Sequence, residues 1–303
     1  MIEKKDIVYT FDKSYHISYN QEYFCCVGAS VNLYSSKNGK LAYKFKDIKH
    51  PNYSRFTSNR NLVVKTTTAS YHIYDLELMA LTKIIPPPKN VLGSTTSFQI
   101  TSDNKYIIDF SYVFPTCELM IIDIETGAYT FFNLGYSRKG IVFPTEADSK
   151  YYVIANCAKT FDAPDISTQE FYELSYASNE FKLQKLFIDS NTKVSIADYR
   201  SNKYAIADYS NKIKLFDIKK KYQDILEYKK DGILYDLKFS KNGQFIALAE
   251  SQNVYIYDIT KKECIKAFKV KYGCFVDFFD DDTKVLIGTW EKGYCISLGG
   301  QGE

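Results

Sequence analysis

The chain has 303 residues, of which 45% are apolar, 16% aromatic and 25% charged, with 39 basic against 36 acidic side chains and a formal net charge of +3. These figures exclude a disordered or low-complexity chain, and the near balance of charge argues against a nucleic-acid partner. No apolar stretch approaches the roughly 18 residues of a membrane span, and Met1-Ile2-Glu3-Lys4-Lys5-Asp6 leads into no apolar secretion signal.

In chain order, the first predicted strand is Ile7-Val8-Tyr9-Thr10-Phe11. A short pattern then recurs: alternating apolar residues, an Asp or stand-in, and another apolar residue. It reads Leu33-Tyr34-Ser35, Ile73-Tyr74-Asp75-Leu76, Ile121-Ile122-Asp123-Ile124, Phe171-Tyr172-Glu173-Leu174, Leu215-Phe216-Asp217-Ile218, Ile256-Tyr257-Asp258-Ile259 and Cys295-Ile296-Ser297-Leu298. The marks at 35, 75, 123, 173, 217, 258 and 297 are 39 to 50 residues apart. Ahead of most marks stands a polar turn leading into an apolar strand, as in Phe56-Thr57-Ser58-Asn59-Arg60, Ile100-Thr101-Ser102-Asp103-Asn104 and Phe239-Ser240-Lys241-Asn242-Gly243. Asn and Asp suit such turns because they tolerate left-handed backbone and bond it locally.

Runs rich in Val, Ile, Tyr and Phe between these turns read as about four short strands per unit, the signature of a propeller blade. The predicted fold is all-β: a seven-bladed β-propeller of four-stranded antiparallel blades forming a single domain over residues 1–303. Lys219–Tyr228, the nearest approach to a helix, falls where the repeat requires an outer strand. The last unit supplies only three strands, so residues 5–12 are expected to complete blade 7 and close the fold, leaving 299–303 as a flexible tail. The chain thus resembles the WD-repeat and related YVTN-type seven-bladed propellers over essentially all of its length. Tyr74-Asp75, Ile122-Asp123, Phe216-Asp217 and Tyr257-Asp258 stand where that family has Trp-Asp, and Gly-His is absent.

Motifs for chemistry are sparse. His16, His50 and His72 occupy no common blade position, and adjacent Cys25 and Cys26 point to opposite faces of a strand. There is no Cys-x-x-Cys, phosphate-binding glycine loop or Gly-x-Ser-x-Gly elbow. No catalytic residue, metal ligand or cofactor is assigned. Asp280-Asp281-Asp282 lacks the alternating spacing of a calcium loop and reads as a solvated turn. Asp198, Asp208, Asp236 and Asp277 lie in or beside inner strands. They support an alternative reading, a metal-dependent hydrolase, lyase or lactonase with an axial carboxylate site. Most of the seven cysteines sit inside apolar runs and read as buried thiols of a reducing compartment, hence a cytoplasmic protein.

In the family it resembles, partners dock on the face that gathers the loops between second and third strands and the links between blades. That face is expected to present Tyr53, Tyr112, Phe114, Tyr136, Arg138, Phe161, Tyr209 and Trp290, residue types that dominate binding hot spots. It also receives the two longest insertions, Tyr112–Thr116 and Asn156–Ile166. The leading reading is a non-catalytic platform or scaffold for a protein or peptide, monomeric on its own, with an intracellular inhibitor or immunity-type protein as one form. Membrane binding through Ser137-Arg138-Lys139-Gly140 is disfavoured for want of neighbouring basic clusters.

Overall fold

The structure is a computed structural model that describes residues 2, 4–58, 60–89, 91–113, 116–145, 147–158, 160, 166–189, 196–200, 203–207, 212–217, 222–228 and 232–299. Apart from one 3-10 turn at Lys4–Asp6, the regular structure among these residues is strand. The chain divides into two compact units, residues 1–46 with 195–303, and residues 47–194.

The first unit opens with β1 (Ile7–Asp12) and a blade of β2 (His16–Tyr19), β3 (Tyr23–Val27), β4 (Val31–Ser35) and β5 (Leu41–Phe45). The second unit holds three blades. These are β6 (Pro51–Phe56), β7 (Asn61–Thr66), β8 (Tyr71–Asp75) and β9 (Ala80–Ile85); β10 (Val91–Ile100), β11 (Tyr106–Val113), β12 (Thr116–Asp123) and β13 (Tyr129–Phe132); and β14 (Ser137–Pro144), β15 (Lys150–Ala158), β16 (Ile166–Ala177) and β17 (Glu180–Asp189). The chain then re-enters the first unit with β18 (Ile196–Arg200), β19 (Lys203–Ala207), β20 (Lys212–Asp217) and β21 (Tyr222–Glu227). Two further groups follow: β22 (Leu234–Phe239), β23 (Phe245–Glu250), β24 (Asn253–Asp258) and β25 (Glu263–Lys269), then β26 (Gly273–Phe279), β27 (Lys284–Thr289) and β28 (Lys292–Ser297).

Seven four-stranded antiparallel sheets, six of them built from four consecutive strands, make this a seven-bladed β-propeller, as the repeat predicts. The seventh sheet is completed by β1, in the order β1-β28-β27-β26, with Ile7 opposite Ile296 and Phe11 opposite Gly293. Within the first unit this last blade packs on the first through Phe11, Ile17, Phe24, Phe275 and Leu286. Within the segment of nearest helical pattern, Tyr222–Glu227 form the outer strand β21, and residues 219–221 lie outside the described residues.

Strand position explains strand composition. Second strands lie inside their blades, so β7, β23 and β27 are buried along all but their first residue, with apolar centres (Leu62-Val63-Val64, Ile246-Ala247-Leu248, Val285-Leu286-Ile287) and polar residues only towards their ends. Outer strands meet water: β9 alternates between exposed and half-buried residues until buried Ile85. The repeated Asp has a local task. Oδ1 of Asp75 accepts the amides of Glu77 and Leu78 (2.7 and 2.9 Å), and Oδ1 of Asp258 those of Thr260 and Lys261 (both 2.9 Å). Each bond pair starts the hairpin from third to fourth strand. Four residues after the mark the backbone turns left-handed, at Gly39, Met79, Gly127 and Lys262.

Blade 4 departs from this plan. Its strands run past Glu173 to Ala177 and turn through Ser178 and Asn179, both at positive φ, the geometry of a tight two-residue hairpin. The predicted insertions are also shorter than expected. Asn156–Ala158 belong to β15, Ile166 opens β16, and Tyr112 pairs with Cys117 inside the hairpin of β11 and β12.

Candidate interaction surface

The innermost strands of consecutive blades are not paired with each other, so polar side chains bridge them. In the second unit Arg55 Nε donates to Phe98 O (2.5 Å) and Gln99 Nε2 to Val142 O (2.9 Å). In the first unit Asp198 Oδ2 accepts Phe239 N–H (2.8 Å), Asp236 Oδ2 accepts Val276 N–H (3.2 Å), and Tyr19 donates its hydroxyl to Phe278 O (2.6 Å). Asp198, Asp236 and Asp277 therefore do gather near one another, around Lys238, whose Nζ is 3.6 Å from Asp236 Oδ1. Asp208 lies outside the described residues.

Burial pushes the Asp277 carboxyl up to about 8; the Lys238 charge opposes this, while Asp198 and Asp236 add to it. Asp236 shifts upward for the same first reason, burial. Two of these carboxylates are committed to backbone amides. Among the described residues no group of three His, Cys, Asp or Glu side chains is placed to hold a metal ion. The Asp280–Asp282 turn follows the same logic: Asp282 accepts the amides of Lys241 and Asn242, Asp281 pairs with Lys241 and Asp280 with Lys284.

A second buried cluster ties β7 to β11. Lys65 Nζ lies 2.5 Å from Asp109 Oδ2, both side chains wholly buried, and Tyr71 donates its hydroxyl to the same carboxylate. Phe110 N–H caps the other oxygen at 2.7 Å. No substrate could reach this group without unpacking the blades, so its role is to lock neighbouring blades together.

Chemistry directed outward appears at one repeated position, the residue immediately before an innermost strand. In four blades its carbonyl accepts an amide from the end of the second strand or the residue just after it: His50 from Thr67 (2.9 Å), Tyr136 from Ala158 (3.1 Å), Ile233 from Ser251 (3.0 Å) and Tyr272 from Trp290 (3.2 Å). In blade 1 the matching residue is Tyr15, whose amide donates to Val27 O (2.7 Å). With the backbone pinned, the side chain turns to solvent, and all five residues are exposed. His50 and Tyr272 hold left-handed backbone, at φ 52° and 58°. A bulky residue adopts that conformation only where surrounding contacts impose it.

In the first unit this position builds a continuous aromatic patch. Trp290 is 54% exposed, and its ring lies 6.2 Å from that of Tyr272, stacked, and 6.3 Å from that of Tyr15, edge-on. Tyr272 and Tyr15 are themselves 49% and 42% exposed. Backbone bonds hold the three in place: Ser14 N–H donates to Thr289 O (3.1 Å) and Gly273 N–H to Ser251 O (3.1 Å). Gly288 permits the close crossing, because a Cβ there would fall 2.5 Å from Ser14 O.

Of the residues predicted from sequence, Trp290 stands in this patch, and Tyr136 occupies the equivalent position of the second unit. Tyr53 lies within β6, half-buried against Phe98 at 5.6 Å and under the Arg55 guanidinium. Arg138 belongs to β14 and Tyr112 to β11, with side chains outside the described residues; Phe114, Phe161 and Tyr209 lie outside them altogether. Sequence reasoning missed Tyr15, Ile233 and Tyr272. A register signal was available for two of them, since Ile233 and Tyr272 fall six and seven residues before Phe239 and Phe279, which open the first turn. Among the described residues no helix is long and apolar enough to cross a membrane. No protein-family model matches the chain, and neither does any curated protein sequence.

Proposed function

We propose that this protein is a non-catalytic binding platform that presents the Tyr15–Tyr272–Trp290 patch to a protein or peptide. The observation that carries the reading is the patch itself: two exposed tyrosines that each pack against exposed Trp290, on backbone tied down by long-range hydrogen bonds. Isolated exposed aromatics are ordinary, but a contiguous group on a rigid support is the composition of a binding hot spot. Seven free cysteines, five of them buried, support work in a reducing compartment such as the cytoplasm.

The test is capture from native lysate by immobilised wild type and by the Tyr272→Ala/Trp290→Ala double variant. A protein retained by wild type and lost by the variant, with the two melting alike, is the expected result. Equal capture by both would place the partner surface elsewhere.

A further inference from the structure

The charge around the patch is one-sided. Within three residues of Tyr15, Tyr272 and Trp290 the chain carries four lysines, Lys13, Lys269, Lys271 and Lys292, against two carboxylates, Asp12 and Glu291. One carboxylate is charge-paired, and the other is hydrogen-bonded but keeps its charge, which leaves an excess of two positive charges. Glu291 takes the Lys271 ammonium at 2.6 Å, and Asp12 Oδ2 accepts the Asn32 amide at 2.8 Å. Lys271 also sits over the Tyr272 ring at 5.0 Å, which holds that ring against the Lys271–Glu291 pair. Lys13, Lys269 and Lys292 remain exposed and make no ion pair among the described residues, and Lys292 Nζ lies 5.2 Å from the Tyr294 ring centroid. The segments that carry the aromatic patch are thus basic, although the chain as a whole is nearly neutral.

We propose that the partner segment seated on this patch is an acidic peptide: an apolar or aromatic anchor that packs against Trp290, flanked by Asp or Glu residues that meet Lys13, Lys269 and Lys292. This rests on the reading above and adds the chemistry of the partner. The anchor supplies desolvated contact and the border charges set orientation and encounter rate.

Trp290 is the chain's single tryptophan, so its emission reports on the patch directly. The full-length protein is titrated with a ten-residue Trp-free peptide of Asp and Glu around a central Phe-Leu pair. The same titration is run with its Asn/Gln isostere and with a ten-residue oligothymidylate. The acidic peptide is expected to change the emission saturably, and the isostere to bind at least tenfold more weakly. Raising salt from 50 to 300 mM should weaken the acidic peptide severalfold, since exposed charges are screened beyond about 6 Å at the higher value. The triple variant Lys13→Glu/Lys269→Glu/Lys292→Glu should lose about tenfold or more, at roughly two- to fivefold per exposed charge pair.

Equal affinity for the isostere, or an oligothymidylate that binds where the peptide does not, would overturn the proposal. So would failure of the peptide to bind while Trp290-dependent capture from lysate persists, and in that case the platform reading stands. Absence of both peptide binding and Trp290-dependent capture would remove both.

Discussion

Closure of the last blade by β1 makes Phe11→Ala a severe substitution. Phe11 is 6% exposed and packs edge-on against Phe24 with centroids 5.1 Å apart, and its ring covers the bare backbone of Gly293, its register partner. Truncating a buried Phe to Ala costs about 3–5 kcal/mol, because the cavity adds to the lost transfer energy. At about 2.1 cal/mol/K per residue, a chain of this length unfolding in one step has an unfolding entropy near 0.6 kcal/mol/K. The loss therefore converts to a fall in Tm of roughly 5–8 °C. Deleting residues 1–12 goes further. It removes Phe11, the Tyr9 ring stacked on Phe24 and all five register pairs with β28, and it bares β28 as an edge open to aggregation. That sum is comparable with the whole stability margin of about 5–15 kcal/mol. Circular dichroism melts of wild type, Phe11→Ala and the truncated chain make the comparison. A truncated chain melting within 2 °C of wild type would refute closure through β1.

Two other perturbations address the buried charges. Asp109→Leu leaves the Lys65 ammonium buried without its counter-ion and should cost about 3–5 kcal/mol, whereas Lys65→Met combined with Asp109→Leu should cost much less than the two single changes added together. Chemical denaturation of the four proteins completes the cycle, and strict additivity would deny that the pair acts as a unit. Asp277 gives a pH prediction. Its folded-state value near 8 lies above the unfolded one, so the folded protein holds the extra proton and stability falls as pH rises from about 4 to 8. Asp277→Asn should therefore flatten the decline of Tm over that range and gain most at its alkaline end; parallel Tm curves would contradict the assignment.

How much of this was legible beforehand differs from one feature to the next. The blades were, because the marks at Asp75, Asp123 and Asp258 each start a hairpin with the same carboxylate-to-amide bonds, a local event that leaves a local pattern. Blade 4 broke the reading where that bond is missing: Glu173 sits in mid-strand paired with Gln184, and Ser178-Asn179 supply the turn without an Asp mark. Trp290 and Tyr136 could be singled out through residue type and loop position. Tyr15 and Tyr272 were not, because nothing local separates them from the many tyrosines used for packing; only the long-range bonds from Ser14 to Thr289 and from Trp290 to Tyr272 turn them outward. The Lys65–Asp109 pair joins residues 44 positions apart in different blades, so no short motif could announce it.

The central claim, that the aromatic patch is the partner-binding site, is tested most directly by site-specific photo-cross-linking. A benzophenone side chain is placed at position 272 in one variant, and in another at exposed Lys261, in the hairpin between β24 and β25. Both are exposed to light in native lysate and compared by electrophoresis. A discrete adduct from position 272, absent from position 261 and suppressed by excess unlabelled wild-type protein, is the predicted result. An adduct formed only from position 261 would contradict the account.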